Sequence, residues 1–228
     1  MPMRKMSGEE RRTAIIKAVQ HLFAYKGFAG TTTRELAEAA GVSEALLYRH
    51  FPTKEALFTA IKQSFCDGEH RDNFNRLHEL EPSTSTLVLL VHFLTTLIAG
   101  GGSACEDHTI PCRMLLRSLA EDGEFARLLL QPFAEKVIPR IEECLRAAIA
   151  AGEAEDGPVL PNLGGWFTHH LATMLASRFL PSTPVADPGL PRNDIVWQAV
   201  WFALRGLGLK EAAIRKYYNP KTLAVFGL

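Results

Sequence analysis

Cysteine is scarce in this 228-residue chain: there are four, Cys66, Cys105, Cys112 and Cys144, and no CxxC pair. A disulfide framework would be denser, so the four read as small hydrophobic residues in a reducing compartment. A secretory leader is also not to be expected from the first residues, which places the protein in the cytoplasm. Long apolar runs are lacking as well. The longest, Leu87 to Ala99, is interrupted by His92 and by Thr95-Thr96, and it falls short of the ~20 residues that cross a bilayer. Net charge is absent, with 25 basic and 25 acidic residues, which excludes a uniformly charged coat.

Catalytic signatures are missing too. His78-Glu79 continues as Leu80-Glu81-Pro82, so it is not HExxH, and no His-Asp dipeptide occurs. Neither a GxSxG elbow nor a phosphate-cradling GxxxxGK[ST] loop is present, and the Gly100–Ser103 run has no lysine. The adjacent His169 and His170 would point about 100° apart on a helix and so do not share one metal easily. Together with the Glu106-Asp107-His108 run they are the only support for the alternative of an all-α metal-dependent hydrolase. The reading is of a protein that is not an enzyme and holds no metal or cofactor.

What is present is helical spacing. Nothing alternates like a strand, so the fold class is all-α, with a small N-terminal module and a larger helical body. Ser7 and Glu10 form a capping box ahead of Ile15, Ile16, Val19, Leu22 and Phe23, and Gly27 stops this first helix. A second starts at Thr32 or Thr33, buries Leu36 and Ala40, and ends at Gly41. Ser43 caps a third, which Pro52 stops. Thr53 caps a fourth with Leu57, Phe58, Ile61 and Phe65 inward. Further helices are expected over residues 86–99, 112–121, 133–151, 162–180 and 193–207, with a short one near 210–217. The breaks are the glycine run 100–102, residues 152–161 and the proline-rich stretch 181–191.

The second and third helices, about two turns each, cannot stand alone. Gly41-Val42-Ser43 supplies a left-handed C-cap, a buried plug and a new N-cap in three residues, which is the geometry of a helix-turn-helix. Polar residues fall where a duplex needs them. Tyr48 and His50 are hydrogen-bonding groups at the end of the third helix. Thr53, Lys54 and the first amides of the fourth form a phosphate seat. Thr33 opens the second helix as a phosphate contact, and Arg34 beside it is a long donor able to reach a base. Glu44, next to the capping Ser43, and Ala45 and Arg49 are the outward candidates for reading base edges. Residues 1–54 carry nine Lys/Arg against five Glu, leaving sixteen against twenty in the remainder; this basic head suits a polyanion.

Residues from about 9 to 58 resemble the DNA-binding domain of the TetR family of bacterial transcriptional regulators. The resemblance rests on Phe23, Gly27, Thr32-Thr33, Leu36-Ala37, Ala40 to Ser43, Leu47-Tyr48, His50-Phe51, Lys54-Glu55 and Leu57, under a quarter of the chain. It implies a DNA-binding domain over 1–54 and a ligand-binding and dimerisation domain over 55–228. It implies that Thr33, Tyr48, His50 and Lys54 hold phosphates while Arg34, Glu44, Ala45 and Arg49 face bases. Many members have lysine and glycine where this chain has Glu44 and Ala45, so the operator sequence cannot be borrowed from relatives.

The remaining residues are expected to sense and to pair. The segment 193–207 is apolar on almost every face, and Gly164-Gly165 would let another helix approach closely. The resemblance implies a homodimer through helices 162–180 and 193–207, packed as a four-helix bundle. Phe93, Arg113, Met114, Arg117, Phe133, Trp166, His170 and Met174 are candidates for a pocket that takes a small, lipophilic effector. The expected function is a dimeric repressor released from a palindromic double-stranded operator by that effector; an activator that senses nothing is the alternative within the family.

Overall fold

A capping box opens the chain's first helix: Glu10 N–H donates to Ser7 Oγ at 3.1 Å and Ser7 N–H to Glu10 Oε2 at 2.7 Å, and α1 then runs Gly8–Lys26. The same device opens α2 (Thr33–Ala39), with Thr32 and Glu35 as its pair. Ser43 caps α3 (Glu44–His50), and α4 (Lys54–Phe65) follows. The computed structural model describes residues 6–65, 69–100, 109–183, 185, 188–219 and 223. Cys66, Cys105, the Glu106-Asp107-His108 run, residues 101–103 and the Phe65 side chain lie outside the described residues.

Beyond α4 come α5 (Glu69–Glu79), α6 (Thr84–Thr95), α7 (Thr109–Ala120), α8 (Glu124–Pro132), α9 (Ile138–Ala150), α10 (Pro161–Ser177), α11 (Arg192–Gly206) and α12 (Glu211–Tyr217). Among the described residues, π-helical turns interrupt the pattern at Thr96–Gly100 and Phe133–Val137. The second follows Pro132, whose missing N–H removes one i→i−4 bond, and the backbone widens just after it. The expected single helix over 86–99 therefore ends in a π turn. α5 and α8 have no counterpart among the helices read from the sequence. Among the described residues there is no strand, and no helix is long and apolar enough to cross a membrane.

Two compact units emerge from the packing. The first holds residues 1–67 together with 113–129, the second residues 68–112 and 130–228. The boundary expected after residue 54 is thus not where packing divides the chain, because α4 packs along α1. In the first unit Phe23, Leu36, Leu47, Phe51, Leu57 and Ile61 are buried. Phe58 makes ring contacts with Phe23, Phe28 and Phe125 at centroid distances of 5.1, 5.1 and 5.0 Å. Each such burial contributes about 1.5–3 kcal/mol.

In the second unit α6, α9, α10 and α11 enclose a core that includes Leu87, Leu90, Val91, Ile141, Leu145, Ala172, Val200 and Leu204. Cys112 and Cys144 are both free and buried, and burial pushes the Cys144 thiol above its ordinary value. Gly164 and Gly165 face this core. A Cβ on Gly164 would meet Leu207 Cδ2 at 2.7 Å, and one on Gly165 would meet Ile138 Cδ1 at 2.7 Å. The close approach that their sequence suggested is therefore made within the chain.

Candidate DNA-reading surface

Three local devices build the turn between α2 and α3. Gly41 sits at φ 64°, in the left-handed region that a β-carbon disfavours. Val42 N–H reaches back to Ala37 O at 3.0 Å, and Ser43 Oγ accepts from Leu46 N–H at 3.2 Å. Leu47 then anchors α3 inward. Helical spacing leaves Glu44, Ala45, Tyr48 and Arg49 exposed on the opposite face, with Tyr48 43% exposed. That face meets solvent along its length.

Two long-range contacts fix the orientation of α3. Arg12 Nη1 donates to His50 O at 2.7 Å, and its guanidinium lies 4.2 Å from the centre of the Phe51 ring. A cation at a helix C-terminus is favourable. Nothing near residue 12 in sequence announces this partnership, since it joins positions 38 residues apart. Lys26 pairs with Glu35 at 2.6 Å, tying α1 to α2. The Lys26 hydrogen bond, with Thr32's, lowers the Glu35 carboxyl from 4.5 to about 2.

The expected phosphate seat is differently arranged. Lys54 Nζ donates to Phe28 O and to Thr31 O and lies 4.4 Å from the centre of the Phe28 ring. It is half-buried, and this loss of solvent lowers its pKa. Its ammonium thus staples the α1–α2 connection to α4. The first amides of α4 are not free either: Thr53 Oγ1 accepts Ala56 N–H at 3.1 Å, and Glu55's own N–H bonds its carboxylate, which lowers that carboxyl. His50 Nε2 is buried with no hydrogen-bond partner among the described residues. Thr33 Oγ1 donates to Glu44 Oε2 at 3.3 Å, and Arg34 pairs with Glu38 at 3.0 Å on the exposed side of α2.

The eight candidate ligand residues are divided between the two units. Arg113, Met114 and Arg117 belong to the first unit, and Phe93, Phe133, Trp166, His170 and Met174 to the second. Arg113 lies 4.5 Å from the Tyr25 ring centre, and Arg117 donates to Tyr25 O at 2.7 Å while pairing with Glu121. A Cβ on Gly27 would sit 2.5 Å from Arg117 Nε, so glycine there lets the guanidinium lie against the end of α1. Met114 and Arg117 line a cavity of ≈ 90 Å³ with Phe23, Phe28, Phe58 and Phe125.

In the second unit Phe93 is buried in the core, while Met174 is 54% exposed. Phe133 and Trp166 stand 5.1 Å apart, His169 lies 4.7 Å from Phe133, and His170 stacks on Trp166 at 5.8 Å. Burial, with the neighbouring His170, lowers His169 from 6.5 to about 4. The two imidazoles meet edge to face at 5.7 Å, and among the described residues no group of three or more His, Cys, Asp or Glu could hold a metal ion. Sequence alone did not single out His169 as the buried member of the pair.

With this geometry in place, known proteins give it a setting. Residues 15–61 match the family described as "Bacterial regulatory proteins, tetR family". The chain is 30% identical over 148 residues to the nucleoid occlusion factor SlmA of Marinomonas sp. (strain MWYL1), covering 65% of this chain and 70% of that one. It is 37% identical over 73 residues to the HTH-type transcriptional repressor KstR2 of Rhodococcus jostii (strain RHA1), but this spans only 32% of the chain and 34% of the relative. Its fold resembles AibR, solved in complex with isovaleryl coenzyme A and operator DNA, at a TM-score of 0.64 and 23% identity, covering 84% of this chain and 97% of that one. The helix-turn-helix head, the helical remainder and these likenesses agree: the chain belongs to the tetR family of bacterial regulatory proteins.

Proposed function

We propose that the chain is a dimeric repressor whose α3, presented twice, reads a palindromic operator that a small, largely apolar ligand releases. The observation that carries this reading is the outward face of α3. Glu44, Ala45, Tyr48 and Arg49 lie exposed while Leu47 and Phe51 hold the helix from beneath. Arg49 suits guanine and Tyr48 a phosphate. Residues 1–54 supply the reading surface, and α4 and Lys54 serve it as scaffold. The role is binding, without catalysis, in the cytoplasm where the duplex lies.

Pairing is supported by α10 and α11, which pack on one another and leave Leu163, Phe167, Met174 and Phe202 between 43% and 69% exposed. Large apolar side chains outward on adjacent helices are what a second copy would cover. Phe167→Glu combined with Phe202→Glu is expected to turn a dimer into a monomer in sedimentation; a persisting dimer would move the interface elsewhere.

Ligand sensing rests on the aromatic group around Trp166 and on the family's structure with a coenzyme A thioester. Arg113 and Arg117 take a coupling role. On α7 both arginines grip the end of α1 through Tyr25, within the first unit. A ligand that favours one position of α7 changes how α1 is held. Such coupling is typically ~1–3 kcal/mol, and it requires the ligand to bind the two states unequally.

The test is selection of bound duplexes from a random pool, followed by titration of the selected duplex with a chemically broad ligand panel. Enrichment of a palindrome and its release by a panel member support the proposal; no enrichment rejects it. The likeness to a nucleoid occlusion factor favours a second reading, in which the sites serve the nucleoid and not a promoter. A chromosome-wide binding map separates the two, since a repressor needs a few promoter sites and occlusion needs many scattered ones.

A further inference from the structure

Resting on the reading of α3 as the base-contacting helix, we infer that Glu44 makes operator recognition depend on the exocyclic N4 amino group of one base, cytosine, and that Thr33 is its positioning residue. Thr33 Oγ1 donates to Glu44 Oε2 at 3.3 Å. A hydroxyl has one hydrogen to give, and a phosphate oxygen and a carboxylate oxygen are both acceptors. While Thr33 holds Glu44 it has nothing to offer the DNA backbone. Its hydroxyl instead fixes one oxygen of a carboxylate at the first position of α3.

The neighbouring carboxylates show why this one is unusual. Glu35 is paired with Lys26 and Glu38 with Arg34. Among the described residues Glu44 has no ion pair, and it is exposed on α3, as Arg49 is. A bare carboxylate entering a groove lined by phosphates is repelled unless it meets a base donor. In the major groove only the cytosine N4 and adenine N6 amino groups donate, and adenine sets its N7 acceptor beside the donor, where a second carboxylate oxygen would clash electrostatically. Cytosine is left. Glu44 therefore acts by exclusion as much as by attraction: the other bases leave its charge uncompensated.

The test uses the full chain and a duplex selected from a random pool, with each base pair replaced in turn by the other three and a scrambled duplex alongside. Binding is read by fluorescence anisotropy at fixed salt. The wild type is expected to lose roughly tenfold to a hundredfold in affinity when one C·G pair per half-site is changed. Glu44→Ala should erase that loss at this column alone and bind the scrambled duplex more tightly. Thr33→Val should blunt discrimination several-fold at the same column and leave the scrambled duplex unaffected, and Thr33→Ser, which keeps the hydroxyl, should restore it. Unchanged columns in Glu44→Ala overturn the inference, and so does an equal loss on all duplexes in Thr33→Val, the mark of a phosphate contact. A wild type that selects no duplex overturns the DNA-reading role and this inference together, whereas selection without a Glu44-dependent column overturns only the latter.

Discussion

In the first unit polar side chains fasten the helices: Ser7, Thr32, Ser43 and Thr53 each occupy a helix N-terminus, while Arg12, Lys26, Lys54 and Arg117 each bond a partner on another element. In the second unit Arg140, Arg192 and Lys210 likewise donate to backbone carbonyls of other segments, but several buried hydroxyls on its helices, those of Thr95, Thr96 and Thr173, have no hydrogen-bond partner among the described residues. Neither α9, α10 nor α11 has a side-chain cap. The contrast fits the division of labour. A reading surface has to hold a few side chains at fixed spacing, and directional bonds do that. Unfulfilled polar groups among apolar ones in the second unit carry a cost in stability.

The largest expected break in this contrast is Phe23→Ala. Phe23 is buried against Phe28 and Phe58, and its loss should cost about 3–5 kcal/mol in urea unfolding and abolish DNA binding. Survival of DNA binding with that loss would mean the aromatic cluster is not what supports the reading surface.

Next comes the acid response of the second unit. His169 is neutral when folded, with its pKa lowered to about 4 from 6.5, so the unfolded chain takes up the proton first as pH falls. Stability is then lost between about pH 6.5 and pH 4, by up to about 3 kcal/mol. His169→Phe should flatten that part of the urea midpoint-against-pH profile; an unaltered slope would place the titration elsewhere. Glu35 works oppositely in the first unit: its carboxyl is lowered, so its contribution is complete above pH 4.5 and fades only as pH falls towards 2.

A smaller effect is expected for Lys54→Met, which unmakes two charge-assisted bonds to backbone carbonyls. Melting should reveal a loss of about 1.5–3 kcal/mol, with the salt dependence of DNA binding unchanged. A slope lower by about one would show instead that the ammonium releases a counterion at a phosphate. Smallest is Ser43→Ala, where loss of the α3 cap should cost about 1 kcal/mol and leave the second unit's exchange-protected amides as they are.

The same contrast explains what could be read from the chain beforehand. Caps are local: Ser7 with Glu10, Gly41-Val42-Ser43 and the stop at Pro52 involve neighbours within a few residues, so the boundaries of α1 to α3 were legible. The backbone partners of Lys54 are 26 and 23 residues away, and the Tyr25 carbonyl that Arg117 bonds is 92 away, so neither side chain's long-range partner was legible from its neighbours. α5 escaped because only Phe74 and Leu77 break its polar run, too few for a stripe. α8 escaped because Pro132 argues against a helix that in fact ends there and resumes through a π turn. Gly164 and Gly165 showed that something packs closely without showing what.

The central claim is that the outer face of α3 reads base sequence. The most direct test is the ratio of affinities for a selected duplex and for random DNA, measured for the wild type and for Glu44→Ala/Arg49→Ala at one salt concentration with melting temperatures in hand. The account predicts that the variant melts like the wild type while this ratio falls by a factor of ten or more. A ratio unchanged in a well-folded variant would contradict it.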